Sequence, residues 1–356
     1  MAFTGKKLSL VTEYLTDYIQ KNALTKGQRL PTETELIEAI GVSRVTLRRA
    51  LANMQEENLI YSVQGSGYFV GDHFFPRENH VIPIIISYDH ENSKILNIVH
   101  GAQNYLKARS CELEVHVSRR DPKAEKEMLL QLYEQGCRCA IIFPVSSEDN
   151  SDLYFHLLQN GMQLIFIDRR PADISCCHLV MSDNMTGGYL ATRHLLELGH
   201  RRIATFGLEP MAHTSTIQER VLGYRHALRE FGVPEPEKSY FFSAYKRQNR
   251  DVEEIFDPAN GFTAVFAIND HAAVDIATHA YRYGLRVPED LSVIGFDNLD
   301  ITTVFTPHLS TIDQPFTQLG ESAAEIAFQC LTGNVTGYIQ KSLPIRLIPR
   351  DSTRKR

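Results

Sequence analysis

The sequence predicts a small α+β domain followed by a larger α/β domain of two lobes built on parallel sheets. Three observations predict it. Residues 1–71 carry three helical patterns and then a glycine-tipped hairpin. Residues 72–80, Asp-His-Phe-Phe-Pro-Arg-Glu-Asn-His, interrupt the periodicity around a proline and read as a linker. Over residues 81–356 short apolar runs alternate with amphipathic stretches, the pattern of strands covered on both faces by helices. A chain of 356 residues exceeds one ordinary domain, and its second part is long enough for two lobes.

The first helix shows Leu8, Val11, Leu15, Tyr18 and Ile19 on one face. Gly27 to Pro31 breaks the chain. Thr32, with Glu35 three residues on, forms a capping box: the hydroxyl satisfies an orphan amide and the carboxylate reaches back. A short second helix follows, with Leu36, Ile37 and Ile40 inward, and Gly41 ends it where a left-handed residue is needed. Ser43 is placed to cap a third helix whose inward face is Leu47, Ala50, Leu51 and Met54.

At about 100° per residue, Arg44, Val45, Arg48 and Arg49 fall on a neighbouring arc that stays exposed. In isolation three arginines suit a solvated face. Near the start of a short exposed helix they also suit DNA, because a guanidinium pairs bidentately with guanine or phosphate and a helix N-terminus attracts phosphate. The apolar stretches 59–63 and 68–70 flank Gln64-Gly65-Ser66-Gly67, a β-hairpin whose bare tip lets backbone approach a phosphate. Helix, turn, helix and hairpin in this register make a winged helix-turn-helix.

Leu-Pro-Thr-Glu (30–33), Gly-Val-Ser-Arg-Val-Thr-Leu-Arg-Arg-Ala-Leu (41–51), Asn-Leu-Ile (58–60) and Gly-Ser-Gly-Tyr-Phe-Val (65–70) resemble the GntR family of winged helix-turn-helix regulators. The resemblance implies that Ser43, Arg44, Thr46 and Arg48, with Gln64 and Gly65 of the hairpin, touch DNA, and that Thr32 and Glu33 lie near its backbone. Arg49 joins them from the arginine arc. Tyr68 departs from the family's usual threonine. The net charge of −6 is no obstacle: residues 1–72 balance eight Lys/Arg against eight Asp/Glu, so the deficit sits in the rest of the chain, and phosphate contact depends on local charge.

In the larger domain, the runs 81–87, 112–117, 139–143, 163–167, 202–206, 263–268 and 291–295 read as strands, and 123–135, 185–198, 215–231 and 270–283 as helices. Ligands of such sheets sit beyond the carboxyl ends of strands. The polar residues placed there are Ser87, Asp168-Arg169, Asn269-Asp270 and Asp297-Asn298, with Arg220 on a helix begun by His213-Thr-Ser-Thr. Asp, Asn and Arg supply the mixed donors and acceptors that neighbouring sugar hydroxyls need. With no Trp in the chain, Tyr88 or Phe296 is left as a ring platform. Asn269 and Asp297 equally suit helix caps, Arg169 suits a pair with Asp168 or with the facing lobe, and His200 reads as structural.

These segments carry a second resemblance. Asp183-Asn184 before Gly187, Leu198-Gly-His-Arg-Arg-Ile203, Glu219-Arg-Val-Leu-Gly-Tyr224, Phe266-Ala-Ile-Asn-Asp270, the run from Val287 to Asp297, Leu309-Ser-Thr-Ile312 and Arg350-Asp-Ser-Thr353 resemble the LacI/GalR family, whose effector domain is periplasmic-binding-protein-like. The resemblance implies effector contacts by Asp168, Arg220, Asn269 and Asp297, with the stretch around Ser93 and Lys94 lining the same cleft. The joint resemblance implies a ligand-responsive repressor of carbohydrate-utilisation genes that binds double-stranded operator DNA and is released by a small sugar such as a pentose. A purine or nucleoside effector, and ligand-promoted DNA binding, stay open. One head covers half an operator, so a homodimer joined through the bodies is expected.

Other classes fit poorly. No stretch approaches the ~18 apolar residues of a membrane span, and MAFTGKKLSL lacks the apolar core of a signal peptide, which leaves the cytoplasm. Cys137-Arg-Cys139 and Cys176-Cys177 complete no zinc pattern, so the six cysteines read as reduced thiols. No strand is followed by a Schiff-base lysine, no Walker loop or nucleophile elbow occurs, and Ser243-Ala-Tyr-Lys246 stands outside any catalytic context. No enzyme, metal or cofactor is expected.

Overall fold

The computed structural model describes residues 2–22, 24, 26–56, 59–63, 65–71, 81–87, 93–208, 214–242 and 250–356. The expected linker 72–80, together with Gln64, Tyr88, His213 and the Ser243 to Lys246 motif, lies outside the described residues, as do the side chains of Leu8, Ser93 and Lys94. The chain divides into two compact units, Met1–His80 and Val81–Arg356.

The first unit comprises α1 (Ala2–Lys21), α2 (Glu33–Ile40), α3 (Arg44–Glu56), β1 (Ile60–Val63) and β2 (Gly67–Val70). Val11, Leu15 and Ile19 of α1 close over Leu36, Leu47, Ala50, Leu51 and Met54, and Ile60 and Val70 bring the hairpin onto the same core. Ile37, Ile40 and Tyr18 are only half-buried, the two isoleucines packed at the edge of this core, and Leu36 is the one fully buried side chain of α2 among the described residues. Gly41 ends α2 at φ 72°, its N–H donating to Ile37 O at 2.9 Å. This left-handed turn costs a residue with a Cβ more than it costs glycine, and it redirects the chain into α3.

The second unit opens with β3 (Val81–Ile86), α4 (Ser93–Lys107), β4 (Glu112–Val117), α5 (Pro122–Glu134), β5 (Cys139–Phe143), α6 (Ser151–Gln159), β6 (Gln163–Ile167) and β7 (His178–Ser182). It continues through α7 (Asn184–Glu197), β8 (Ile203–Gly207), α8 (Ser215–Glu230), β9 (Tyr240–Phe242), α9 (Arg250–Phe256), β10 (Ala264–Ala267), α10 (Asp270–Arg282), β11 (Ser292–Ile294) and α11 (Ile301–Val304). It closes with β12 (Thr311–Asp313), α12 (Phe316–Leu331), β13 (Gln340–Leu343) and β14 (Arg346–Ile348). One lobe holds a parallel six-stranded sheet, β13-β7-β6-β5-β3-β4; the other a parallel four-stranded sheet, β11-β10-β8-β9.

The lobes are not consecutive in sequence. The chain crosses between them after β7, between β12 and α12, and between β13 and β14, so α12 packs on the first sheet although β12 lies beside the second. The alternating pattern of the sequence misses these returns. β9 and β12 are three residues long, and β13, Gln-Lys-Ser-Leu, is a half-exposed edge strand without an apolar run. Among the described residues no helix is long and apolar enough to cross a membrane.

The α7–α8 contact positions the cleft described below. A Cβ on Gly188 would stand 2.0 Å from Arg220 O, and one on Gly223 would stand 2.0 Å from Met185 O. The two helices therefore meet backbone to backbone, which only glycine permits. That approach sets Asn184 of α7 beside Arg220 of α8.

Candidate functional site

The first candidate surface is the exposed face of α3. Ser43, Arg44, Val45, Arg48 and Arg49 are exposed and Thr46 is half-buried. Ser43 Oγ accepts from Thr46 N at 3.3 Å and lies 2.9 Å from Thr46 Oγ1, so both hydroxyls serve the helix start. Thr32 Oγ1 accepts from Glu35 N at 3.4 Å while Glu35 Oε2 accepts from Thr32 N at 2.7 Å, which completes the capping box. These Thr32 hydrogen bonds hold the Glu35 carboxyl below its ordinary value.

Glu33, the first residue of α2, reaches across to α3. Arg48 Nε donates to both its carboxylate oxygens at 3.1 Å, and Arg44 Nε lies 3.9 Å away. The carboxylate thus fixes the Arg48 guanidinium by two hydrogen bonds and lies within ion-pair distance of Arg44. Val45, 79% exposed between them, is the apolar group on this face and suits a thymine methyl.

In the hairpin Ile60 pairs with Val70 and Val63 with Gly67, and the tip turns through Gly65 at φ 77°. Tyr68 packs against the core of the unit, and burial raises its hydroxyl above the ordinary value. At this position packing replaces the small hydroxyl side chain of the resembling family.

The second candidate is the cleft between the lobes of the larger unit. Asp168 follows β6 at φ 67°, is 8% exposed, and its Oδ1 has no hydrogen-bond partner among the described residues. Burial pushes its carboxyl up, and Arg220 and then Arg169 pull it down. Arg220, 5% exposed, donates from Nε to Asn184 Oδ1 at 2.8 Å and from Nη1 to Ile268 O at 2.5 Å. Its Nη1 lies 3.7 Å from Asp297 Oδ1, and its guanidinium stacks 3.7 Å above the centre of the Phe296 ring. Asp297, at φ 112°, accepts from Gln314 Nε2 at 2.6 Å; burial raises its carboxyl to about 6 against the pull of Arg220. Two acids in sparsely populated backbone conformations flanking one buried arginine mark a site held under strain.

Asn269 caps α10, accepting from Ala272 N at 2.8 Å, so that its amide group stands where β10 ends. Asp297 caps no helix. Arg169 does not pair with Asp168 by a hydrogen bond: its guanidinium donates to Val145 O and Pro144 O of its own lobe. Phe296 is not available as a ring platform, because it is fully buried and the guanidinium of Arg220 covers it. His200 lies between Thr263 Oγ1 and Arg354 O, buried and structural.

Four residues outside the expected effector set complete the site. Asn184 receives the Arg220 hydrogen bond. Glu219, half-buried one turn after Ser215 on α8, is raised by burial to about 7, with Arg170 opposing and Asp168 adding to the rise. Gln314 holds Asp297 from the crossover. Asp270, fully buried, accepts from Leu299 N at 2.7 Å and Thr311 Oγ1 at 2.6 Å, which fixes the turn that carries Asp297. Asn184 and Glu219 stand inside motifs that were legible, but the packing of α7 on α8 that brings Asn184 to Arg220 was not.

Buried hydroxyl, carboxylate and amide oxygens gather at this place. Ser87 Oγ after β3, Asp168 Oδ1 after β6, Ser182 Oγ at the end of β7, Thr214 Oγ1 before α8 and Gln314 Oε1 on a crossover have no hydrogen-bond partner among the described residues. Buried polar groups are nearly always satisfied, so such a set at the carboxyl ends of strands suits a ligand bearing several hydroxyls. The lobes touch beside it: Ser215 N donates to Ser147 Oγ and Arg170 N to Ser215 Oγ, each at 3.0 Å. Among the described residues no group of His, Cys, Asp and Glu is arranged to hold a metal ion.

Residues 9–70 match the bacterial regulatory proteins of the gntR family, and residues 192–353 match the periplasmic binding protein-like domain. The chain is 30% identical over 343 residues to the arabinose metabolism transcriptional repressor of Geobacillus stearothermophilus, covering 92% of this chain and 91% of that protein. It is also 30% identical over 241 residues to the HTH-type transcriptional repressor PurR of Aliivibrio salmonicida, covering 67% of this chain and 71% of that protein. Among solved structures, a LacI family transcriptional regulator from Enterococcus faecium with bound ribose superimposes with a TM-score of 0.64 at 26% identity, covering 77% of this chain and 99% of that one.

Proposed function

The chain belongs to the family of bacterial transcriptional repressors that join a GntR-type DNA-binding head to a periplasmic-binding-protein-like effector body, and from that premise we propose that it represses carbohydrate-utilisation genes and leaves operator DNA when a small sugar enters the cleft. The observation that carries the effector half is Asp168: a buried carboxylate in a left-handed conformation, without a hydrogen bond at Oδ1 among the described residues, and drawn by the charge of Arg220 from the other lobe. Sugar hydroxyls supply a donor to Asp168 Oδ1 and further donors to Asp297, and accept from Arg220 and Asn269. A pentose fits the names of the relatives, one an arabinose metabolism repressor and one a regulator holding ribose.

Ser43, Arg44, Thr46, Arg48 and Arg49, with Gln64 and Gly65 of the hairpin and Thr32 and Glu33 of α2, form the DNA-reading set. Asp168, Arg169, Arg220, Asn269 and Asp297, with Ser93 and Lys94 at the start of α4, form the effector set. Arg169 enters it by shaping the 144–145 loop, and Glu33 enters the first by aiming Arg48. The protein acts by binding, not catalysis, in the cytoplasm and as a homodimer whose two heads read half-sites about one helical turn, ~34–36 Å, apart. Ligand favours the closed cleft, and closure is coupled to the heads by roughly 1–3 kcal/mol.

A thermal-shift panel of pentoses, hexoses and purines on the purified protein, followed by gel shift on DNA upstream of its own and neighbouring genes, tests the reading. A stabilising sugar that also releases DNA is expected. Stabilisation by a purine alone, in keeping with the PurR relative, overturns the sugar assignment and leaves the repressor.

A further inference from the structure

Asp297 and Asn298 are consecutive residues in the left-handed region, at φ 112° and 54°, on the turn that leaves β11 for α11. A lone Asp or Asn tolerates such backbone, but two in succession hold strain that the surroundings must fix. The backbone supplies part of that hold. Asp297 N donates to Ile312 O at 2.8 Å, Asn298 N donates to Thr311 Oγ1 at 3.2 Å, and Asp297 bridges in parallel to Asp313, the last residue of β12.

The Asn298 side chain supplies the rest, from the two strands by which the chain passes between lobes. Its Oδ1 accepts from Arg350 Nη2 at 2.6 Å, and its Nδ2 donates to Asp313 Oδ1 at 2.7 Å. Arg350 is itself anchored, donating from Nη1 to Leu309 O at 2.7 Å and to Thr302 Oγ1 at 3.1 Å. Asp313 accepts with its other oxygen from Arg346 Nε at 2.9 Å, and these two residues are partners across the β12–β14 ladder. The Asp313–Arg346 rung borders a cavity of about 420 Å³, so on that side hydrogen bonds rather than packed side chains hold the turn.

We propose that Asn298 is a positioning residue of the effector site: its amide, braced between Arg350 and Asp313, fixes the left-handed turn in the geometry that presents the Asp297 carboxylate to the ligand. The proposal rests on the reading of Asp297 as an effector contact and goes further by assigning the residues that hold it there. Without the amide, the Asp297 carboxylate keeps only Gln314 and Arg220, and the turn relaxes toward ordinary backbone. Asparagine suits the place in two ways. It tolerates the left-handed conformation, and it carries both a donor for Asp313 and an acceptor for Arg350. Aspartate would set a second carboxylate against Asp313, and glycine would keep the turn but lose both bonds.

The experiment is isothermal titration of the full chain with arabinose and with ribose, for the wild type, Asn298→Gly, Asp297→Gly and the double variant. Glycine accepts left-handed backbone, so each substitution removes a side chain without adding strain. In Asn298→Gly the dissociation constant is expected to rise at least about fivefold, part of the roughly 10- to 150-fold that losing a charge-assisted acceptor outright costs. In the Asp297→Gly background the same change is expected to add less than about twofold, because the brace acts only through that carboxylate. Asp313→Asn, of the same shape but with one acceptor oxygen where two are used, is expected to weaken binding too, and it decides the matter if Asn298→Gly fails to fold. A role in folding alone lowers the melting temperature of Asn298→Gly and leaves its dissociation constant at the wild-type value. That result overturns the proposal, while weak binding by Asp297→Gly keeps the effector site where it was assigned. A loss of equal size in the Asp297→Gly background overturns the proposal as well. If Asp297→Gly binds like the wild type, or the wild type binds neither pentose, the underlying reading falls and this proposal with it.

Discussion

Replacing Asp168 by Asn separates binding from stability at one atom. The carboxylate is 8% exposed, makes no hydrogen bond at Oδ1 among the described residues, and is raised above its ordinary value because burial outweighs the pull of Arg220 and Arg169. Its backbone is left-handed at φ 67°, a conformation that Asn tolerates as well as Asp. The neutral isostere therefore removes a burial penalty without adding strain. Stability at neutral pH is expected to rise, read as a higher melting temperature. The sign of the pH dependence follows. A carboxyl raised on folding weakens the native state as pH climbs, so the advantage of Asp168→Asn is largest at neutral and alkaline pH and disappears below the ordinary carboxylate range.

The effector loses one charge-assisted acceptor, worth about 1.5–3 kcal/mol, or roughly 10- to 150-fold in affinity. Operator affinity without ligand is expected to be unchanged, because the arginine face belongs to a separate compact unit. Thermal melts, isothermal titration and gel shift read the three quantities. A repressor that melts higher yet needs far more sugar to leave DNA is the expected outcome. A lower melting temperature, or release at the wild-type sugar concentration, refutes the assignment of Asp168.

Arg48→Ala is expected to weaken operator binding by about 1–3 kcal/mol and to reduce the salt dependence by about one ion, with sugar affinity intact in calorimetry. Arg220→Ala leaves Asn184 Oδ1 and Ile268 O without this donor and Asp297 without its ion-pair partner, and is expected to destabilise the larger unit by about 3–5 kcal/mol and abolish induction, measured by denaturation and gel shift. Gly188→Ala drives a methyl to 2.0 Å from Arg220 O, so α7 and α8 must separate; a loss above roughly 3 kcal/mol together with weakened sugar binding is expected in denaturant titrations. Glu219 and Asp297 are raised from 4.5 and 3.8 to about 7 and about 6, so stability without ligand is expected to fall as pH rises from about 4 to 7, and Glu219→Gln to flatten the upper part of that slope.

The arginine face was legible because it is local. Thr32 and Glu35, Gly41, Ser43 and the arc of Arg44, Arg48 and Arg49 are spaced by helical geometry alone, and a helix places them as the spacing says. Ile60 to Val70 likewise needs only its own turn to pair. The strands that bury both faces announce themselves as apolar runs, and the polar residues just beyond them, Asp168, Asn269 and Asp297, mark the edge of a cleft.

What sequence spacing does not contain is which distant groups meet. Glu33 binding Arg48, Asn184 holding Arg220, Gln314 holding Asp297 and Arg220 covering Phe296 join residues from separate elements, and Gln314 reaches Asp297 only because the chain crosses between lobes there. The periodic signal in the chain is one of burial, and burial is set over a few neighbours. Charge compensation acts through space, so only the packed fold decides that two strained acids share one arginine, or that a phenylalanine suited to a sugar ring lies beneath a guanidinium instead.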